Sequence, residues 1–580
     1  MSKIIACFTK KEYYYIFFSI ILLVTQVWVD LEIPDYMSEI TQLVQTEGSE
    51  ISDILTAGGT MLGLSLFSLM LVFIVTKCAS HIATIVAMRL REQVYNKTLS
   101  FSMADINNFS TGSLITRSTN DITQIQNFIA LGYIAFIRAP LMSIWAVIKI
   151  SGKNTTFTGI TLVGVCSLLV AIMVVITLSM PKSKGLQKLT DNLNTTVREH
   201  LIGIRVVRAY NADDYQKEKF ENINDKVASA NIFINRTTAF MAPYMMFLMT
   251  ILTLVIYVVG ASLINEAGFN DKLVIFSDMV VFSSYAMQII MAFMLLTMAF
   301  ITLPRVIVAL NRVSEVIDFK NTIVDGNNNN NNNNNNTAIQ FKNVSFSYPD
   351  GEEAVLENLN FEVNKGDTIA FIGSTGSGKS TIMNLLLRFY DCTKGEILID
   401  GVNLKDYTQE ALREKMGYVS QKAVIFSGDI KSNITYGANN KIDDNNINRA
   451  IEIAQAKDFV DKVGLDGEVA QGGLNLSGGQ KQRLSIARAI YKNPEIYVFD
   501  DCFSALDYKT DKVLRAKLNK ECTSATKVIV GQRISTIQDA NQIIVLDAGK
   551  IVGVGTHEEL LANSKIYREI AESQLSKEEL

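Results

Sequence analysis

Little in this chain points to metal-thiolate or disulfide chemistry. Six cysteines occur in 580 residues: Cys7, Cys78, Cys166, Cys392, Cys502 and Cys522. None lies in a C-x-x-C or Cys/His ligand pattern, which argues for reduced, unpaired thiols. A basic excess is also missing. The net charge is −4, so there is no electrostatic footprint for nucleic acid. The first apolar run follows Lys3, Lys10 and Lys11 without a small-residue cleavage site. It reads as an uncleaved membrane helix rather than a secretory signal.

What is present is a mixture. Hydrophobic residues make up 48% of the chain and charged ones 19%. The length is too great for one core, and the balance predicts a membrane part joined to a soluble part. Six stretches with almost no charge lie in the first half: Tyr13–Val29, Ala57–Thr76, Phe128–Ile148, Phe157–Met180, Ala239–Ile264 and Met279–Leu303. Most approach or exceed the roughly 20 residues a helix needs to cross a bilayer. The first is short and is expected to continue past Asp30. The third carries Arg138.

The connections Lys77–Asn127 and Pro181–Thr238 are long and rich in lysine and arginine, while the segment between the first two stretches has none. The positive-inside tendency places the long connections in the cytosol, and six spans then bring both termini to the same side. Apolar residues recur at helical spacing through Ile115, Ile122, Ile125 and Phe128, and through Leu201, Ile204 and Val207. The membrane helices are therefore expected to run on as long antiparallel pairs. Turns are predicted near Asp105–Asn108 and Ala212–Tyr215.

Three segments carry a specific resemblance: FSTGSLITRSTNDITQIQNF (Phe109–Phe128), IRAPLM (Ile137–Met142) and REHLIGIRVVRAYNADDYQKEKF (Arg198–Phe220). They resemble the membrane domain of ABC exporters of the type I exporter fold, most closely multidrug-type bacterial half-transporters. The resemblance implies that the two turns are coupling helices. An asparagine run, Asn327–Asn336, reads as a mobile tether. The expected division is a transmembrane domain over 1–320, a linker over 321–337 and an ATP-binding cassette over 338–580.

The strongest chemical signal is GSTGSGKS, Gly373–Ser380, set between the strand-like Thr368–Ile372 and the helix-like Thr381–Phe389. That is the strand–loop–helix context of a Walker A motif. Gly373, Ser374, Thr375, Gly376, Ser377 and Gly378 let backbone N–H groups approach phosphates, and the following helix N-terminus, with Thr381, adds positive potential. Lys379 is expected to reach the β/γ-phosphates and Ser380 to ligate Mg²⁺. The run IYVFDD, Ile496–Asp501, reads as a buried parallel strand with carboxylates at its C-terminal end. Asp500 is then the Walker B aspartate.

LSGGQKQR, Leu476–Arg483, resembles the ABC signature. In the family, Ser477, Gly478, Gly479 and Gln480 close over ATP held by the opposite domain, which implies a pairing with a second half-transporter. By the same resemblance Tyr348 in FSYPD stacks on adenine, Gln421 in YVSQ is the Q-loop glutamine near Mg²⁺, and Asp507 in SALD marks the D-loop. GEVAQGG before the signature carries Gln471 where an acid is common.

Two departures matter. Asp501 stands where the family usually has Glu, and Gln532 in GQRISTI stands where it usually has His. Asp is one methylene shorter, and displacement of a positioned group by about 1 Å costs on the order of 100-fold in rate. Gln cannot become cationic. With the signature intact, the pattern resembles the degenerate-site member of heterodimeric exporters.

Substrate signals are weaker. Met287, Met291, Met294 and Met298 share one face of the sixth stretch, and Met241, Met245 and Met249 one face of the fifth. With Phe282, Tyr285 and Phe293 they form either an adaptable pocket for hydrophobic compounds or lipid-facing and helix-packing surface. Arg138 reads either as cavity-facing or as a structural position the family shares. No room precedes the first stretch for a peptidase domain, which disfavours exporters that process a peptide cargo. Three readings follow: an exporter of hydrophobic compounds, a transporter of one defined lipid, peptide or siderophore, and a non-transporting ATP-binding regulatory subunit.

Overall fold

The computed structural model describes residues 9–46, 49–151, 153–328, 336–349, 351, 353–438 and 442–575. Lys3, Cys7 and residues 329–335 of the asparagine run lie outside them. The chain divides into two compact units: Met1–Ser100 with Ser110–Phe319, and Phe101–Phe109 with Lys320–Leu580.

The first unit is helical. Among the described residues, six helices are long and apolar enough to cross a membrane. In chain order, with the short helices between them, these are α1 (Lys10–Gln45), α2 (Ile51–Leu99), α3 (Met103–Asn108, of the second unit), α4 (Thr111–Ser151), α5 (Thr155–Ile202), α6 (Ile204–Ala209), α7 (Asp213–Glu266) and α8 (Phe269–Asp318). The first apolar stretch does continue past Asp30, to Gln45. At 1.5 Å per residue, helices of 48 to 50 residues reach about 70 Å, well beyond a hydrocarbon core. The lower halves of α5 and α7 lie side by side, joined by Lys219–Glu199 at 3.0 Å. The second inter-span turn falls earlier than expected, at 210–212. Asp213 and Asp214 already belong to α7, where negative charge suits a helix N-terminus.

Arg138 finds its partner on α1: it donates to Asp30 at 3.0 Å. Asp30 also accepts from Gln26 and Ser68, and its backbone carbonyl accepts from Gln288 on α8. An ion pair that far into an apolar stretch is tolerable only when both charges are hydrogen-bonded. Glu12 and Arg89 form a bidentate pair, with bonds of 3.1 and 3.0 Å. The methionine faces separate. Met241 and Met245 are buried in the main apolar cluster, so the fifth-stretch face is packing rather than pocket. Phe282, Tyr285 and Phe293 are buried there too, and Tyr285 donates to the Leu31 carbonyl. Met287, Met291 and Met298 are exposed.

The second unit holds the strands. An antiparallel sheet runs in the order β2 (Leu356–Asn364), β1 (Thr337–Phe346), β4 (Lys394–Ile399), β5 (Val402–Asn403). A six-stranded sheet has the order β10 (Lys550–Gly555), β9 (Gln542–Asp547), β3 (Thr368–Gly373), β8 (Thr526–Val530), β7 (Ile496–Asp500), β6 (Met416–Val419). All but the β9–β10 pair are parallel. β7 and β8 are buried at every position, as continuous apolar runs in a covered parallel sheet should be. Around the sheet lie α9 (Lys379–Leu386), α10 (Gly478–Lys492), α11 (Tyr508–Glu521), α12 (His557–Asn563) and α13 (Lys565–Gln574), with further helices at Asp444–Ile453 and Lys457–Val463.

The helix α3 is packed within this second unit. Ser102 and Asp105 form its capping box, and the buried Asp105 also accepts from the Thr322 backbone N–H and hydroxyl. The turn expected near Asp105–Asn108 is thus a capped helix whose carboxylate is held by the segment that follows α8.

Candidate nucleotide site

The C-terminal ends of β3, β7 and β8 sit side by side in the parallel sheet, which is where ligands bind in such folds. The loop 374–378 leaves β3 and opens α9. Its backbone requires glycine at two places. Gly373 has φ 157°, and a Cβ there would meet the Leu546 carbonyl oxygen at 2.1 Å. Gly378 caps α9 in the left-handed region, φ 96°, with Leu356 where a Cβ would stand. Ser374, Thr375, Gly376 and Ser377 complete the turn. Lys379 bends back over it, donating to the carbonyls of Gly373 and Ser374 at 2.9 and 2.7 Å. Burial pushes the Lys379 ammonium below its ordinary range, while Asp501 and Asp500 oppose that.

Ser380 donates to Asp500 at 3.2 Å. A hydroxyl and a carboxylate converging beside a glycine-rich loop are hard oxygen donors that fit a magnesium ion on a polyphosphate. Such an ion, held by Ser380, Asp500 and Gln421, would neutralise phosphate charge. Burial raises both the Asp500 and Asp501 carboxyls above the usual range, and the neighbouring Asp501 adds to this for Asp500.

Asp501 follows β7 in the left-handed region, φ 47°. Its N–H donates to the Val530 carbonyl at 3.0 Å. Its Oδ2 accepts two amides, from Gln421 at 3.0 Å and from Gln532 at 2.7 Å. Lys379, Ser380, Gln421, Asp500, Asp501 and Gln532, which span more than 150 positions, therefore form one cluster. Tyr348 lies beside it, its hydroxyl 3.2 Å from that of Thr381 and its ring edge-on to Tyr390 at 5.2 Å. Asn107 of α3 donates to the Tyr390 hydroxyl at 3.3 Å.

The signature positions stand apart from these bonds. Ser477 caps α10, its N–H donating to the Gln480 side chain and its Oγ accepting from the Gln480 N–H. Gly478, exposed, and Gly479, half-buried, form the first turn. A serine and two glycines at the start of a 15-residue helix leave backbone donors free for an anion brought from outside. Asp507 caps α11 through the Thr510 N–H, at 2.9 Å. Gln471 is exposed on the surface.

Two further residues carry no local sign of their role. Tyr390 has no motif around it. Gln574, on the last turn of α13, donates to the Gln532 carbonyl at 2.8 Å and accepts from the Ile534 N–H at 2.9 Å.

A phosphate loop at the end of a parallel strand beside a carboxylate pair fits a nucleotide-binding unit, here in a chain with six described helices long and apolar enough to cross a membrane. Comparison with known proteins agrees. The ABC transporter model matches residues 356–504, and the ABC transporter transmembrane region model matches residues 16–293. An uncharacterized ABC transporter ATP-binding protein of Mycobacterium bovis is 34% identical over 93% of both chains. An ATP-dependent lipid A-core flippase of Haemophilus influenzae is 30% identical over 87% of this chain and 85% of its own. A bacterial Atm1-family ABC exporter, solved with ATP bound, superposes with a TM-score of 0.83, covering 97% of this chain and 99% of its own at 23% identity. The chain belongs to the ABC transporter family and has the type I exporter fold.

Proposed function

We propose that this chain is one half of a heterodimeric exporter of hydrophobic or amphipathic compounds, and that its own Walker site binds ATP but hydrolyses it weakly. The observation that carries the reading is the pair of amides on Asp501 Oδ2. Hydrolysis needs a carboxylate free to orient the attacking water. Here a short carboxylate is held through one oxygen by two neutral donors, and Gln532 commits its amide to Asp501 where a histidine would offer a cation to a γ-phosphate. Binding groups are unaffected: the loop glycines, Lys379, Ser380, Asp500 and Tyr348 keep their arrangement. Ser477–Gln480 of this chain would then complete an active site whose Lys, Glu and His belong to the partner, with catalysis resting on electrostatic positioning across the interface.

In this reading residues 1–320 form the path through the bilayer, 321–337 the linker and 338–580 the ATP-driven motor. Both termini and the motor lie on the cytoplasmic side of a bacterial plasma membrane. The exposed Met287, Met291 and Met298 supply an adaptable apolar surface for substrate. An amphipathic lipid is the second reading, supported by the names of the lipid A-core flippases among the relatives.

The test is ATP hydrolysis in lipid by this chain alone and by this chain co-expressed with a second half-transporter. Turnover only in the mixed assembly is expected. Robust turnover by this chain alone would mean that Asp501 and Gln532 suffice for catalysis in a homodimer.

A further inference from the structure

Gln574 makes an unusual use of a surface side chain. The Gln532 carbonyl can only accept and the Ile534 N–H can only donate, so the two bonds force one orientation of the Gln574 amide. The side chain pairs with the loop as a peptide unit of a neighbouring strand would. Its two bonds flank Arg533, at the point where the chain passes from β8 toward the short helix Ile534–Ile537.

An exposed glutamine ordinarily keeps its rotamer freedom, so ordering it requires a rigid base. Helix α13 supplies one. Tyr567 and Ala571 are fully buried, and Ile566 and Ile570 pack on the same core. The Tyr567 hydroxyl meets His557 Nδ1 at 2.7 Å. Arg568 donates to the Leu561 and Ala562 carbonyls at the end of α12, both at 2.8 Å. Gln532 is thus held at both ends, by Asp501 through its side chain and by α13 through its backbone.

We propose that Gln574 is a positioning residue for the nucleotide site: the last turn of α13 clamps the loop 531–534 and so sets where the side chain at 532 lies relative to residue 501. The inference rests on the reading that residue 532 serves this site. It assigns to α13 a regulatory handle, because anything that moves this helix moves residue 532.

Two readouts on the full chain in lipid test it. The first is hydrogen exchange of the Ile534 amide in Gln574→Ala, Gln574→Met and Gln574→Glu. Each should exchange about 10-fold faster across 531–537, with β8 and the melting temperature unchanged. Glu keeps an acceptor for Ile534 but sets a negative charge against the Gln532 carbonyl, so it should not rescue. Unchanged exchange overturns the clamp. The second places Gln574→Ala on a chain already carrying Asp501→Glu and Gln532→His. A kcat lower by about 5-fold with KM for ATP within about twofold supports positioning, and an unchanged kcat overturns it. If the double replacement brings no turnover at all, the weak-site reading fails, and the clamp is decided by exchange alone.

Discussion

The Walker cluster and the start of α10 are built from the same physics and differ in what their side chains add. Both present glycines and a helix N-terminus, which suit phosphate whatever the flanking residues are. At α10 the side chains stop there: Ser477 and Gln480 satisfy each other, and the backbone faces outward. In the Walker cluster the side chains bond to one another, exposed Gln421 and Gln532 both donating to the buried Asp501. Phosphate binding thus rests largely on the backbone, whereas hydrolysis rests on a positioned carboxylate, and the proposed weakness of this site lies there.

The sharpest way to break this contrast is Ser477→Arg, which fills the anion-facing turn of α10. ATP turnover of the mixed assembly should fall about 100-fold, as when an oxyanion donor is removed. A loss of only a few fold would mean that α10 does not complete the active site. Next is Lys379→Ala. Affinity of this chain's own site for a fluorescent ATP analogue should weaken about 30-fold, in line with loss of a charge-assisted bond, while the assembly keeps most of its turnover. Equal losses in both assays would erase the difference between the two faces. Asp501→Glu with Gln532→His should raise turnover at this chain's own site about 10-fold, measured in an assembly whose partner carries an inactive Walker site. Smallest is Gln532→Ala. It frees Asp501 from one amide but touches no phosphate-binding group, so ATP affinity should stay within about twofold.

The parts written in contiguous sequence were legible. A stretch such as Phe157–Met180 states its own length and polarity, and Gly373–Ser380 states its loop, because strand, glycines and helix follow one another. What was not legible is pairing across distance. Arg138 reads as a lone charge until Asp30, 108 positions earlier, is placed beside it. Met241 and Met245 have the same periodicity as the exposed methionines of α8, and only packing separates buried from open. Gln574 lies 42 positions from Gln532, with nothing local to mark it. Asp501 and Gln532 each read as a departure from the resembled motifs, but their bond to one another was not legible.

The helix α3 has a consequence in time. It belongs to the second unit, yet the ribosome makes Asp105 217 residues before Thr322, whose hydroxyl and N–H hold its carboxylate. At roughly 5–20 residues per second, Asp105 must wait on the order of 10 to 40 seconds for its binding partner to emerge. During that interval four further membrane-length helices, α4, α5, α7 and α8, are synthesised. The second unit therefore closes last, and only around a segment the membrane part has already delivered.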